Sequence, residues 1–131
     1  MAKALDLQAV AARDGRYHAD GFRFVAEALG RAADLFGKRQ LEGSARHLTA
    51  AELVTGAVDL AAERWSLLGD LVLAQWGIRS SADIGEITFA LIAHGIFSKE
   101  PGDRLEDFAE VHGELGRSVA VRVRERAGLP V

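Results

Sequence analysis

Apolar residues recur along much of this chain at steps of three and four positions, which is the period of one face of an α-helix. The period predicts a helix over residues 20–36, ended by Gly37, and a shorter helix over 3–13, ended at Gly15. The polar segment 38–47 is predicted to be a surface loop. The clearest periodic run consists of Phe22, Val25, Leu29, Ala32 and Phe36.

A capping box predicts the start of the next helix. In Thr49-Ala-Ala-Glu52, the threonine side chain accepts from the N–H of the glutamate, whose carboxylate reaches back to the threonine N–H. The helix is predicted to continue to Trp65, with Ser66 as the cap of a further helix over 67–76. The pattern leaves open whether Trp65-Ser66 is a break or a kink.

The strongest signals for helix ends and helix starts lie at the junction between this helix and the next one. Trp76-Gly77 is predicted to end one helix, with a largely buried indole and a glycine in the left-handed conformation. Asp83 is predicted to cap the next helix, with Glu86 reaching back to the N–H of the cap. Gly95 is predicted to end that helix.

A turn signal follows at residues 100–103, where Pro and Gly stand at the centre of Glu-Pro-Gly-Asp. This order is typical of a type II turn. The flanking residues predict a small β-hairpin over 96–108. The order of helices followed by a hairpin also fits a winged helix. The helix before the hairpin has no Lys or Arg, so we do not expect it to read DNA.

The tail over 111–131 allows two interpretations. Val119, Val121 and Val123 alternate with polar residues as they would in a strand, yet the same region also follows helical spacing. A helix over 112–126 is favoured, and strand and disorder stay open.

The length and composition predict one domain over 1–131. Of the 131 residues, 49% are apolar and 27% are charged, which is typical of globular proteins. The predicted fold class is mainly α, a compact single-domain helical bundle of five to six helices with the small β-hairpin.

The charge and the cysteine content of the chain indicate where in the cell the protein is expected. The net charge is −3, there is no cysteine, and no apolar run reaches the roughly 18 residues that span a bilayer. The first ten residues lack the continuous apolar stretch of a signal peptide. We therefore expect a soluble, cytoplasmic protein with no membrane partner.

Candidate chemistry is sparse. Asp59 and Glu63 lie four residues apart and would share one helix face, as acid–base pairs do, but the sequence shows no partner for them. No nucleophile elbow or phosphate-binding loop is found. We predict no enzyme, no cofactor and no metal site. Metal-ligand spacing is lacking among the four histidines, His18, His47, His94 and His112.

Charge is unevenly distributed near the end of the chain. Residues 100–114 contain six acids and one arginine, whereas residues 115–126 contain four arginines and one glutamate. We expect the basic tail to pack on or near the acidic segment, in the same subunit or in a second one. The candidate partner-binding residues of the tail are Arg117, Arg122, Arg124 and Arg126.

Several of these segments together resemble an uncharacterised family of conserved hypothetical proteins of Verrucomicrobia and Planctomycetes. The resemblance implies a family-like core over about 16–110 and a variable tail over 111–131. It implies no activity, cofactor or catalytic residue. The segments that carry it are 17–29, 49–64, 76–78, 83–89 and 103–108.

These patterns predict a non-enzymatic protein–protein interaction or adaptor module, with a protein partner or a second copy of the chain in a homo-oligomer. The alternative is a nucleic-acid-associated protein that uses the arginine tail, although the acidic run beside it opposes a polyanion. The structural residues of the prediction are Thr49, Glu52, Trp65, Trp76, Gly77, Asp83, Glu86 and Gly95.

Overall fold

Helices form the regular structure of residues 2–111 and 113–131, which this computed structural model describes, with side chains from residue 7 onward. Two short 3-10 turns connect them, at Gly43–Arg46 and Ser66–Leu68. The prediction of a mainly α bundle is confirmed. The helices are α1 (Ala2–Asp14), α2 (Ala19–Leu35), α3 (Ala50–Trp65), α4 (Gly69–Gln75), α5 (Ser81–Ala93), α6 (Glu106–Ala109) and α7 (Leu115–Arg126).

Helices α2 and α3 pack against each other at the centre of the molecule. A Cβ added at Gly56 of α3 would lie 2.7 Å from the Cβ of Ala32 and 2.8 Å from the carbonyl oxygen of Ala28, both on α2. Only small residues permit so close an approach of two helix backbones. The periodic face of α2 therefore lies in the core, where Phe22 and Val25 are fully buried.

The apolar helix α5 covers another side of this centre. Its residues Ile84, Ile87 and Leu91 are fully buried. Gly85 lies against α6, since a Cβ there would be 2.6 Å from the Cβ of Phe108. Phe108 is thereby buried on α5.

The predicted β-hairpin over 96–108 is wrong, because the described residues there form no strand. The turn itself exists: the N–H of Asp103 donates to the carbonyl of Glu100 (3.0 Å). It is not the predicted type II turn, because Gly102 has no positive φ. The chain then enters α6, where Phe108 is buried. Without strands, the described residues form no wing.

The boundary between α3 and α4 is a true break. Ser66 has φ 52° and ψ −135° and is the one non-glycine residue of the described chain with a positive φ. Residues 66–68 then form a 3-10 turn before α4 begins. Ser66 is therefore not the N-cap that the sequence predicted.

The N-cap of α5 is Ser80, three residues before the predicted Asp83. The Asp83 carboxylate reaches back and accepts from the N–H groups of Ser80 (3.1 Å) and Arg79 (2.9 Å). Ser80 to Asp83 and Asp83 to Glu86 both have the spacing of a capping box, and the sequence analysis chose the second. Glu86 instead lies 3.4 Å from the guanidinium of Arg16.

The tail forms a helix, as the favoured interpretation had it. Leu115 and Val119 of α7 are buried. The start of α7 is tied to the start of α5, because Leu115 N–H donates to the carbonyl of Arg79 (3.1 Å) and Ser81 N–H donates to that of Gly113 (2.9 Å). His112, where the predicted helix began, lies outside the described residues.

The predicted helix ends at Gly77 and Gly95 are both present in the left-handed conformation, with φ of 90° and 74°. In each, the N–H two residues beyond the cap donates to a carbonyl one turn back, as in a Schellman motif. The two sites differ in their surroundings. A Cβ at Gly77 would lie 3.0 Å from the Arg16 carbonyl oxygen and from the Tyr17 ring, whereas one at Gly95 would meet nothing within 4 Å.

We therefore expect Gly77→Ala to destabilise the protein more than Gly95→Ala. Both variants place a side chain in the left-handed region, which costs about 1–2 kcal/mol. Gly77→Ala adds the displacement of Tyr17 and the preceding backbone, for a total of about 2–3 kcal/mol. Urea unfolding followed by circular dichroism measures both. Equal losses would show that the contact with Arg16 and Tyr17 carries no energy.

Candidate functional site

One carboxylate, Asp59 of α3, is buried to 1% exposure and accepts hydrogen bonds from three arginines. Arg31 of α2 donates to Oδ2 (2.6 Å). Arg122 and Arg126 of α7 donate to Oδ1, at 2.7 and 2.9 Å. With Glu63, which pairs with Arg31 and Arg126, these residues form what we call the Asp59 cluster. The cluster joins three helices.

Within one copy of the chain, the basic tail therefore packs on α3 rather than on the acidic segment 100–114, and packing on that segment of a second copy stays a prediction. Asp59 and Glu63 share one face of α3, and Arg122 and Arg126 share one face of α7, because residues four apart are neighbours on a helix. The two pairs complement each other once the tail is helical. The third arginine, Arg31, gave no signal in the sequence beyond its place on α2.

The electrostatics of the cluster favour the charged form of Asp59. Burial raises the pKa of the Asp59 carboxyl, but the hydrogen bonds from Arg31, Arg122 and Arg126 outweigh burial and lower the pKa below its ordinary value. Such a carboxylate is stabilised by its partners rather than poised to exchange a proton. The Asp59–Glu63 pair thus serves to attach helices.

The other two candidate arginines are placed differently. Arg124 donates from Nε to the carbonyl of Pro130 (2.6 Å). Arg117 is exposed and makes no hydrogen bond or ion pair with any residue in the described part of the chain. Of the four candidate partner-binding residues, Arg117 and Arg124 are the two that form no ion pair with a described residue, and Arg117 alone of them also lacks a hydrogen bond there.

Arg117 lies at the edge of a groove between the end of α2, α3 and α7, which we call the α7 groove. The groove encloses about 630 Å³. Leu35 and Phe36, at the end of α2, are about 40% exposed beside it. Further lining residues are Thr55, Val58, Val111, Ser118, Val121, Arg122 and Glu125.

A second apolar surface is more exposed. Leu67, Leu68 and Leu71, in the 3-10 turn and α4, are exposed to 63%, 62% and 60%. We call these three residues the leucine face. Each leucine exposes more than half of a side chain that folding normally buries, and the three lie within one turn and the start of one short helix.

The leucine face and the α7 groove lie on opposite sides of α7. Gly116 and Val119 of α7 contact Asp70 and Gly69, at the start of α4. Arg117 and Val121 line the groove, and each lies two residues from Val119, so at about 100° per residue they point to the other side of the helix. One helix therefore separates the two surfaces.

The two tryptophans of the prediction meet beneath this region. Trp65 ends α3 and Trp76 follows α4, and their rings pack edge to face at 5.6 Å. Phe24 of α2 contacts both rings, at 5.6 and 6.1 Å. Trp76, predicted to be largely buried, packs against the core and is partly buried. The aromatic contacts hold together both ends of the segment that presents the leucine face.

Within the described residues, no group of three or more His, Asp or Glu side chains could hold a metal ion. No helix in the same part of the chain is long and apolar enough to cross a membrane. Comparisons with protein-family models, with curated proteins and with solved structures found no match.

The Asp59 cluster predicts the acid sensitivity of the fold. Because the pKa of Asp59 is lowered on folding, its stabilising contribution is present above its ordinary pKa of about 3.8 and is lost as the pH falls through the folded value. Asp59→Asn leaves three arginines facing a neutral group and should cost about 3 kcal/mol at pH 7.

The matched control is Glu63→Gln, which removes the exposed carboxylate of the same cluster. We expect a much smaller loss there, because solvent screens exposed pairs. Urea unfolding between pH 3 and 7 should show that the loss caused by Asp59→Asn shrinks as the pH falls. A loss that does not depend on pH would contradict the role assigned to the Asp59 charge.

Proposed function

We propose that this chain is a non-enzymatic protein–protein interaction module that associates with a second copy of itself through the leucine face. The observation that supports the proposal is the exposure of Leu67, Leu68 and Leu71 to 60–63% on one continuous segment. Burying an aliphatic side chain contributes about 1.5–3 kcal/mol, so an uncovered leucine face leaves several kcal/mol for a partner to recover.

Charge argues for a second copy as that partner. Between Trp65 and Trp76 the sequence has a single charged residue, Asp70, which is partly buried beside Gly116 of α7. Two copies related by a twofold axis bring the same surface against itself. An apolar surface with so little charge can pair in this way without strong like-charge repulsion.

The size of the surface argues for a weak dimer. Stable complexes bury about 800 Å² on each partner, and three partly exposed leucines supply only part of that area. We therefore expect reversible association that depends on protein concentration. The α7 groove, on the other side of α7, leaves a separate surface for another protein, as an adaptor requires. A cytoplasmic location stays a prediction that rests on the sequence.

The test is the mass of the protein in solution as a function of concentration, measured by analytical ultracentrifugation. The wild type should pass from monomer to dimer as the concentration rises. Leu67→Ser and Leu71→Ser should each weaken the dimer about ten-fold or more, because each removes apolar area from the contact.

Leu35→Ser is the matched control, since it removes a partly exposed leucine from the α7 groove. It should leave the dimer unchanged. A wild type that stays monomeric at every concentration would overturn the proposal. Equal weakening by Leu35→Ser and Leu71→Ser would mean that the leucine face is not the contact.

The nucleic-acid alternative is less favoured, because Arg122 and Arg126 are engaged with Asp59 and Glu63. Only Arg117 and Arg124 could neutralise phosphates without breaking the cluster. We expect binding to duplex DNA or RNA no tighter than about 10⁻⁴ M at physiological salt, in a gel-shift assay. Submicromolar binding that is lost in the double variant Arg117→Gln, Arg124→Gln would favour the alternative.

A further inference from the structure

A separate cavity lies between the end of α2, the loop before α3, the outer side of α5 and the segment that leads to α6. It encloses about 360 Å³, at the lower end of the range of small-molecule sites, about 300–1,000 Å³. None of its lining residues belongs to the leucine face or to the α7 groove. It is therefore a distinct candidate site.

One part of the cavity wall is apolar. Phe89 and Ile92 of α5 are only partly buried, whereas Ile84, Ile87 and Leu91 of the same helix lie in the core. Their free sides line the cavity together with residues of α2, α3 and the segment after α5. This part of the wall suits a branched or aromatic hydrocarbon group. The additional apolar lining residues are Leu29, Ala33, Leu48, Ala50, Leu53, Ile96, Phe97 and Phe108.

The polar part of the wall is held in place by a hydrogen-bond network around Asp103. His47 Nε2–H donates to Asp103 Oδ1 (2.9 Å), and the N–H of Glu100 donates to Oδ2 (2.9 Å). Lys38 Nζ donates to the carbonyl of His47 and to Glu52, both at 2.9 Å. The network ties the loop before α3 to the turn before α6, so the polar wall is formed before any ligand enters.

Two charges of opposite sign remain on this wall. Arg39 and Arg104 line the cavity but pair with Asp34 and Asp107. Arg46 and the carboxylate of Glu100 have no partner within the described residues.

Both Arg46 and Glu100 adjoin the hydrogen-bond network around Asp103. Arg46 precedes His47 in the chain, and Glu100 bonds Asp103 through its N–H. The wall of one largely apolar cavity thus carries a cation and an anion that no described residue neutralises.

We propose that this cavity binds a zwitterionic small molecule with an apolar body, of the class of free α-amino acids with apolar side chains. The carboxylate of the ligand pairs with Arg46, its ammonium pairs with Glu100, and its side chain contacts Phe89 and Ile92. A ligand with one charge satisfies only one of the two protein groups. The ligand class follows from this pairing of charge with apolar surface.

The test is isothermal titration calorimetry of the full chain with L-phenylalanine and L-leucine. At least one of them should bind saturably. Two analogues of phenylalanine, 3-phenylpropionate and phenethylamine, lack the ammonium and the carboxylate, respectively. Each should bind about ten-fold more weakly than phenylalanine or worse, because it leaves one charged group of the protein unpaired.

Arg46→Gln and Glu100→Gln should each weaken binding of the amino acid by about ten-fold or more. Arg23→Gln is the matched control, because Arg23 is also an exposed arginine and pairs with Asp20 outside the cavity. It should leave binding unchanged.

Three results would overturn the proposal. One is that neither amino acid binds saturably up to about 10 mM. Another is an analogue with a single charge that binds as tightly as phenylalanine. The third is an equal effect of Arg23→Gln and Arg46→Gln.

Discussion

One interaction links three helices and draws the C-terminal helix onto α3, the burial of the Asp59 carboxylate beneath three arginines. A buried carboxylate costs several kcal/mol unless charged partners with good hydrogen-bond geometry surround it. α3 alone cannot supply those partners. Arg31 comes from α2, and Arg122 and Arg126 come from α7, so the charge of Asp59 is satisfied only when α7 lies across α3. The leucine face and the α7 groove then take their places on the two sides of α7.

Contacts between residues far apart in the sequence explain which parts of the fold the sequence could predict and which it could not. Local signals were sufficient at Thr49 and Glu52, where both hydrogen bonds of the capping box are present, and at Gly77 and Gly95. They were ambiguous where two overlapping motifs shared Asp83. They failed at residues 96–108, because the burial of Phe108 against Gly85 is a tertiary contact that no local pattern encodes.

The candidate surfaces were less predictable than the fold, for a related reason. The sequence identified Asp59 and Glu63 as a pair and the arginines as a group, but only the helical form of the tail brings them together. The exposure of Leu67, Leu68 and Leu71 was hidden, since their spacing is that of an ordinary buried helix face. The unpaired charges of Arg46 and Glu100 emerge only after the partners of Arg39 and Arg104 are known.

The break at Ser66 shows how the leucines come to lie outside the core. A non-glycine residue in its conformation costs about 1–3 kcal/mol, so the surrounding contacts must hold it there. The Trp65–Trp76 contact fixes the two ends of the segment, and Gly69 packs against Val119, where a Cβ would be 3.0 Å from Cγ1. Had α3 continued as a straight helix past Ser66, Gly69 could not meet α7 in this way. The strained residue and the anchored α7 together place Leu67, Leu68 and Leu71 in solvent.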